Sequence, residues 1–411
     1  MRRRILLDVT PIRESRQFRL IFGGQLLSGF GNQATAVAVP FQVFELTHSS
    51  LQVGLVSLAQ FVPLVLGSVI GGPVGDAVDR RKILLWSNVV AMLLGVAMVA
   101  NALAASPSLL VIYVASAATA GVIGFASPSR NAVVPLIVPR EQLVAAYSIN
   151  QLTIQLATVA GPLLAGGLIA ASGVKAAYLF DIATFALAML TRIAMEPIPP
   201  SPDAARAGVA SFIEGTRYVT SRPLLIGIYL IDLNAMVLGM PRALFPALAA
   251  NTFHGGAVAL GALYAAPAVG ALIGATTTGW LHHVERQGRA IILAVVVWGL
   301  AVATMGLSSW LWLALILLGI AGLADVVSAV LRNTVLQESV TDEFRSRTAS
   351  FQMAVVQGGP RLGDLEAGAV GQLTTPAISV VSGGLACAIG AAAISWWIPA
   401  LSRQRRSVPA A

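Results

Sequence analysis

The stretch Gly71–Lys82, GGPVGDAVDRRK, lies between two apolar runs, Leu51–Gly72 and Ile83–Ala105, each long enough to cross a bilayer. Two glycines and a proline read as the end of the first run, and the next helix starts beside Arg80, Arg81 and Lys82. A connection this short and this basic belongs on the cytoplasmic side of a membrane. Asp76 and Asp79 stand among the cations, placed to pair with them or to cap the next helix. The stretch predicts a tight cytoplasmic hairpin between two membrane helices.

Composition agrees. The 411 residues are 56% hydrophobic and 11% charged, with a mean hydropathy of +0.80, whereas soluble domains carry roughly 25% charged residues. The arginine-rich segment Met1–Arg19 contains Asp8 and Glu14 and leads into a long apolar run, which argues against a cleaved leader. A single cysteine, Cys387, leaves no internal disulfide and no cysteine metal cluster. The net charge of +8 comes from loop arginines, so it points to the positive-inside rule and not to nucleic acid.

Working outward from the hairpin, apolar runs fall at about 18–44, 51–72, 83–105, 108–129, 143–170, 174–194, 223–250, 258–281, 290–308, 311–331, 346–373 and 376–401. They predict an all-α membrane protein with twelve transmembrane helices in two six-helix bundles. The first bundle covers 1–193 and the second 223–411. Between them, 194–222 reads as a cytoplasmic linker, rich in proline at 197, 199, 200 and 202, with a short amphipathic helix at Val209–Thr220. With the amino terminus inside, 23 of the 26 Lys and Arg fall on cytoplasmic segments. Both termini are then cytoplasmic.

The halves repeat. Gly54 and Gly67 recur as Gly261 and Gly274, and Arg130-Asn131-x-Val133 recurs as Arg332-Asn333-x-Val335, with Glu141 matched by Glu343. Parallel six-helix repeats place a transporter's substrate cavity on the repeat axis near the midplane.

An ionisable side chain at mid-membrane costs about 2.5–3.5 kcal/mol on insertion scales, so each one needs a partner, water or a task. Asp364, Glu366, Asp232 and Asp325 are the proton-coupling candidates. Arg361 and Asp364 are three apart and can meet on one face of the eleventh helix, as a coupling site or as a structural ion pair. Glu366 projects elsewhere, and Gly358, Gly359, Pro360 and Gly363 are expected to loosen or kink that helix. Asp232 and Arg242, nearly three turns apart on the seventh helix, are too distant to pair. Arg242 and Arg361, with Gln25, Asn32 and Gln33 on the first helix, are candidates to line a substrate cavity. Asp181 on the sixth helix reads as structural. Arg130 and Arg332 read as gate or loop anchors at equivalent cytoplasmic helix ends. No Gly-x-x-x-x-Gly-Lys-[Ser/Thr] loop occurs, no Cys/His cluster has metal-ligand spacing, and His48, His254, His282 and His283 all fall in loops. ATP drive, a metal, a cofactor and enzymatic catalysis are not supported.

Gly72-x-x-x-Asp76 followed by Arg80-Arg81 resembles the loop signature between the second and third helices of the major facilitator superfamily. Here Ala77 stands where that family has a basic residue and Asp79 where it has glycine. Gly24-Gln25-Leu26-Leu27-Ser28-Gly29, the loop Thr47–Gly54, Arg242–Ala249 and Leu263–Pro267 extend the likeness. Gly161-Pro162 followed by Gly166-Gly167 is similar to the antiporter motif of drug exporters, with one extra residue between the pairs. Together these resemble the enterobactin-exporter and macrolide-efflux branch of the superfamily, over about Arg16 to Trp397. The resemblance implies alternating access and proton-driven export of a siderophore-like or hydrophobic small molecule across the bacterial inner membrane. Asp76, Arg80 and Arg81 would then latch the cytoplasmic gate, together with Gly72. The partners implied are a small molecule, protons and the bilayer, with the chain a monomer. A macrolide or multidrug pump is the same-class alternative, and a non-transporting sensor or assembly partner the alternative of another class.

Overall fold

The computed structural model describes residues 8–199, 209–341 and 344–406. Twelve long segments carry the fold, here numbered in chain order. The first six are α1 (Arg16–Thr47), α2 (Ser50–Ala77), α3 (Arg80–Leu103), α4 (Leu109–Ile137), α5 (Leu143–Ser172) and α6 (Val174–Ile193). The second six are α7 (Pro223–Leu238), α8 (Gly256–Thr277), α9 (Gln287–Gly306), α10 (Leu311–Ser339), α11 (Arg345–Leu373) and α12 (Pro376–Trp397). No strand occurs among the described residues.

Ten of the twelve segments are long and apolar enough to cross a membrane, α7 counting together with its continuation to Thr252. The other two, α1 and α11, have 32 and 29 residues and so reach across on length. Their apolar character is diluted by Gln25, Asn32 and Gln33 in α1 and by Arg361, Asp364 and Glu366 in α11. Large apolar side chains point outward on helix after helix, among them Leu66, Trp86, Leu110, Leu293 and Ile389. In water such a surface would be an aggregation liability; against lipid tails it costs nothing.

The hairpin departs from its reading at one point. Gly71, Gly72 and Pro73 do not end α2, which runs on to Ala77, leaving only Val78 and Asp79 as the link. Gly71 is held inside the helix by packing: a Cβ there would run into the Phe125 backbone of α4. Asp79 caps α3, its carboxylate accepting from the Arg81 amide at 2.8 Å. The residue that breaks the family pattern thus satisfies one of the orphan donors of the next helix.

The chain divides into two compact units. One comprises the described residues of Met1–Leu46 and Ala59–Arg206, the other those of Thr47–Leu58 and Ala207–Ala411. The expected linker lies partly outside the described residues, as does Glu343; within it, Val209–Thr220 is a helix.

Each unit shows the same internal packing. In the first, α3 packs on α4 and α6; in the second, α9 packs on α10 and α12. The repeated glycines face equivalent helices. A Cβ on Gly67 of α2 would strike the Gly121 carbonyl of α4, and one on Gly274 of α8 would lie at ordinary contact distance, 3.4 Å, from Leu323 of α10. Gly67 and Gly274 are 207 apart, Gly121 and Leu323 are 202 apart, which are the two offsets of the sequence repeat. His48 and His254, just ahead of α2 and α8, both take left-handed backbone, with φ of 50° and 51°.

The α2–α4 approach yields a test. Gly67→Ala should lower the thermal midpoint of the purified protein, since overpacking costs about 1–3 kcal/mol. Gly72 has nothing within 4 Å of a Cβ, so Gly72→Ala should raise it through helix propensity, by about 0.5–1 kcal/mol. A Gly67→Ala protein melting at or above wild type would refute the close approach.

Candidate functional site

In the second unit α7 and α10 bring three charged side chains together. Arg332 and Asp325 are seven apart on α10, hence two turns along one face. The Arg332 Nη2 meets Asp232 Oδ1 of α7 at 2.8 Å and Asp325 Oδ1 at 4.0 Å. The side chains of Arg332 and Asp232 are 7% and 9% exposed, that of Asp325 35%. Arg332 is therefore not a loop anchor at a helix end. It sits buried two turns inside α10 because two carboxylates hold it there.

Arg242 also differs from its reading. The helix does not continue through it. Beyond Leu238 the chain breaks at Gly239–Pro241, makes a tight 3-10 turn at Arg242–Leu244, and resumes as Phe245–Ala247 and a wider π turn at Leu248–Thr252. Pro241 brings no backbone donor, and Trp298 Nε1 donates to the Gly239 carbonyl at 2.8 Å, fixing the break. The face shared by Asp232 and Arg242 on an ideal helix does not exist. Arg242 is exposed, within electrostatic range of both Asp325 and Asp364.

On α11, Asp364 and Arg361 do not pair. Asp364 Oδ2 accepts from Ser57 Oγ of α2 at 2.7 Å, while Arg361 Nη1 donates to the Gln357 carbonyl at 2.7 Å. The helix runs unbroken through Pro360. Two glycines explain how Ser57 comes so near: a Cβ on Gly54 would strike the Asp364 carbonyl, and one on Gly368 would strike that of Ser50 at 2.5 Å. Ser49 Oγ donates to Gln372 Oε1 at 2.8 Å one turn further on. Gly363 lets the Met236–Val237 backbone of α7 approach the other side of α11. Glu366 is half-buried.

In the first unit, Gln25, Asn32 and Gln33 are half-buried on α1, and Gln33 packs against Gly161 of α5. Gly161, Pro162 and Gly166 are buried, whereas Gly167 faces outward with nothing near it. Asp181 of α6 is buried and accepts from Thr35 Oγ1 of α1 at 2.8 Å; beside it Tyr178 donates to Gln42 at 2.7 Å. At the hairpin, Arg80 is buried and reaches Asp76 at 3.5 Å. Arg81 donates to the carbonyls of Arg192 at 3.1 Å and Ile193 at 2.6 Å. The Ile198 amide donates to Asp79 at 3.1 Å. Arg130 is half-buried on α4. Arg192 is buried, donating to the Leu84 carbonyl at 2.9 Å and to Asn88.

The transmembrane secretion effector family model matches residues 8–406. Enterobactin exporter EntS of Citrobacter koseri is 30% identical over 404 residues, 98% of this chain and 97% of the relative. The chain belongs to this family of the major facilitator superfamily. EntS of Escherichia coli O81 matches equally well, 30% over 404 residues. Among solved structures, a bacterial homologue of the lysosomal transporter Spinster superposes with a TM-score of 0.73 at 15% identity, covering 97% of this chain and 100% of that one. A POT family transporter bound to 5-aminolevulinic acid gives 0.75 at 10% identity over 94% and 97%. These show the twelve-helix facilitator fold, and the matched relatives are transporters, not enzymes.

Within that fold the Asp232–Arg332–Asp325 cluster can take up charge. Two carboxylates share one guanidinium, so with both ionised the cluster carries one net negative charge. Arg332 is the member whose loss hurts most. Arg332→Met strands two carboxylates, and breaking a buried pair costs about 3–5 kcal/mol. The thermal midpoint should fall steeply and recover in large part in Arg332→Met/Asp232→Asn, while Arg242→Met stays near wild type. An Arg332→Met midpoint unchanged from wild type would refute the cluster.

Proposed function

We propose that this facilitator is a proton-coupled exporter of a siderophore-like or hydrophobic small molecule, working by alternating access as a monomer in the bacterial inner membrane with both termini cytoplasmic. The Asp232–Arg332–Asp325 cluster carries the reading. Asp232 is the close, enclosed partner of Arg332 and stays ionised. Asp325, at 4.0 Å and more open, is the carboxylate that takes and returns a proton, which leaves one balanced pair behind. Protonation changes the charge of α10 against α7 and biases the equilibrium between conformations. One proton crossing 100 mV releases about 2.3 kcal/mol, enough for roughly a fifty-fold solute gradient.

The substrate class is supported by the relatives, which are named as enterobactin exporters across nearly the whole chain. The polar candidates to meet such a molecule are Gln25, Asn32 and Gln33 in the first unit and Arg242 and Arg361 in the second, each set taken within its own unit. Asp76, Arg80 and Arg81, anchored on the end of α6, form the stiff hairpin from which a cytoplasmic gate is built, with Gly72 beside it. Asp364 and Ser57 hold the first turns of α2 on α11, and Glu366 remains a subsidiary proton acceptor.

Inverted membrane vesicles test this directly. With a proton gradient imposed, wild-type vesicles should accumulate enterobactin and dissipate the gradient as they do so; a macrolide serves as the comparison compound. Asp325→Asn should abolish uphill accumulation while leaving gradient-independent exchange across the vesicle membrane. Accumulation that survives Asp325→Asn but is lost in Asp364→Asn would move the proton site to α11. Absence of flux for both compounds would favour a non-transporting role.

A further inference from the structure

The cytoplasmic-repeat arginine is balanced in one half and not in the other. Arg130 and Arg332 are 202 apart and each stands seven residues before the last residue of its helix, Ile137 in α4 and Ser339 in α10. Arg332 has Asp232 and Asp325. The repeat offsets of 207 and 202 put Gln25 and Ile123 at those two places in the first half. Neither carries charge.

A second cation makes the imbalance larger. Ala126, Arg130 and Val133 fall on one face of α4, and Ala126 and Val133 pack with Leu84 of α3 and with Met195 and Ile198 after α6. Arg192 of α6 delivers its guanidinium to the Leu84 carbonyl and to Asn88, one turn along α3. The two arginines thus stand on helices that share one packed layer around Leu84. Among the described residues no carboxylate lies within 4.0 Å of either guanidinium. The Asn88 Nδ2 and the Arg130 Nε are buried with no hydrogen-bond acceptor, and Asn88 is only 2% exposed. Buried donors therefore outnumber acceptors in this layer at the hairpin end of the first unit, where a buried donor without an acceptor is costly.

We propose that Arg130, Arg192 and Asn88 form an oxyanion-binding site in the first half. A phosphate, carboxylate or catecholate group would take charge-assisted hydrogen bonds from the guanidiniums and a further one from the Asn88 amide. The site discriminates by charge and is separate from the Asp232–Arg332–Asp325 cluster, so it stands or falls independently of proton coupling.

Thermal unfolding of the purified full chain in nanodiscs reads the site without any flux. In zwitterionic discs at constant ionic strength, inorganic phosphate and 2,3-dihydroxybenzoate should each raise the midpoint saturably, by about 2–4 °C. Arg130→Gln and Arg192→Gln should each raise the half-saturating concentration roughly tenfold or more. Asn88→Asp places a carboxylate where Arg192 already donates; it should raise the midpoint without added anion and remove the response to it. That variant keeps the proposal open to refutation should an arginine variant fail to fold. A wild-type shift with phosphatidylglycerol discs alone assigns the site to a lipid headgroup, and a shift with the soluble acids assigns it to a solute. No shift in any arm, or a shift retained in both Arg130→Gln and Asn88→Asp, overturns the proposal.

Discussion

Everything distinctive in this molecule follows from the cost of placing a charge where water is scarce. A facilitator fold built only of leucine, alanine and glycine would be easier to insert. This chain instead keeps Asp181, Asp232, Asp325, Arg332, Arg361 and Asp364 within its helices. Their partners show how each is tolerated. Asp181 takes a hydroxyl, Asp364 another hydroxyl, Arg361 a backbone carbonyl, and Arg332 two carboxylates. Hydroxyl and carbonyl partners satisfy a charge without neutralising it. Among the described residues, only the α7–α10 cluster combines close ion pairing with an excess carboxylate, and the proposed proton site rests on that combination.

The architecture was legible because it rests on patterns that length and charge make unambiguous. Apolar runs of bilayer length, short basic links and a glycine repeat at two fixed offsets lead to twelve helices in two related halves. The site was legible only by residue type. Spacing said that Arg361 and Asp364 can meet, yet each found a better partner: Gln357's carbonyl on its own helix, and Ser57 arriving from a helix hundreds of residues away in sequence. No local pattern announces a hydroxyl from elsewhere. The Asp232–Arg332 pair is of the same kind, a contact a hundred residues apart, and Arg332 was read as an anchor because its place near a helix end dominated the pattern.

Glycine and proline misled in both directions for one reason. Their local preferences are worth about 1–3 kcal/mol, comparable to a single packing contact, so tertiary context decides. At Gly71, Gly72 and Pro73 the helix continues because Gly71 is pressed against Phe125. At Gly239–Pro241 a similar composition breaks it, because the Trp298 indole fixes the freed Gly239 carbonyl in place. The second outcome frees Arg242 from the helix and exposes it in the neighbourhood of two carboxylates. An unbroken helix would have kept it on a packed face.

The two halves of the chain carry an arginine at equivalent positions and surround it differently. The arginine two turns inside the fourth helix of each half is a fixed positive charge in both. In the second half the surrounding positions supply carboxylates, and the charge is balanced from within. In the first half the corresponding positions are an amide and an aliphatic side chain, with a second arginine added from α6. On the proposed reading, the arginine balanced from within would answer to protons and the other to an anion, two roles set at equivalent positions of the repeat by which neighbours carry acid.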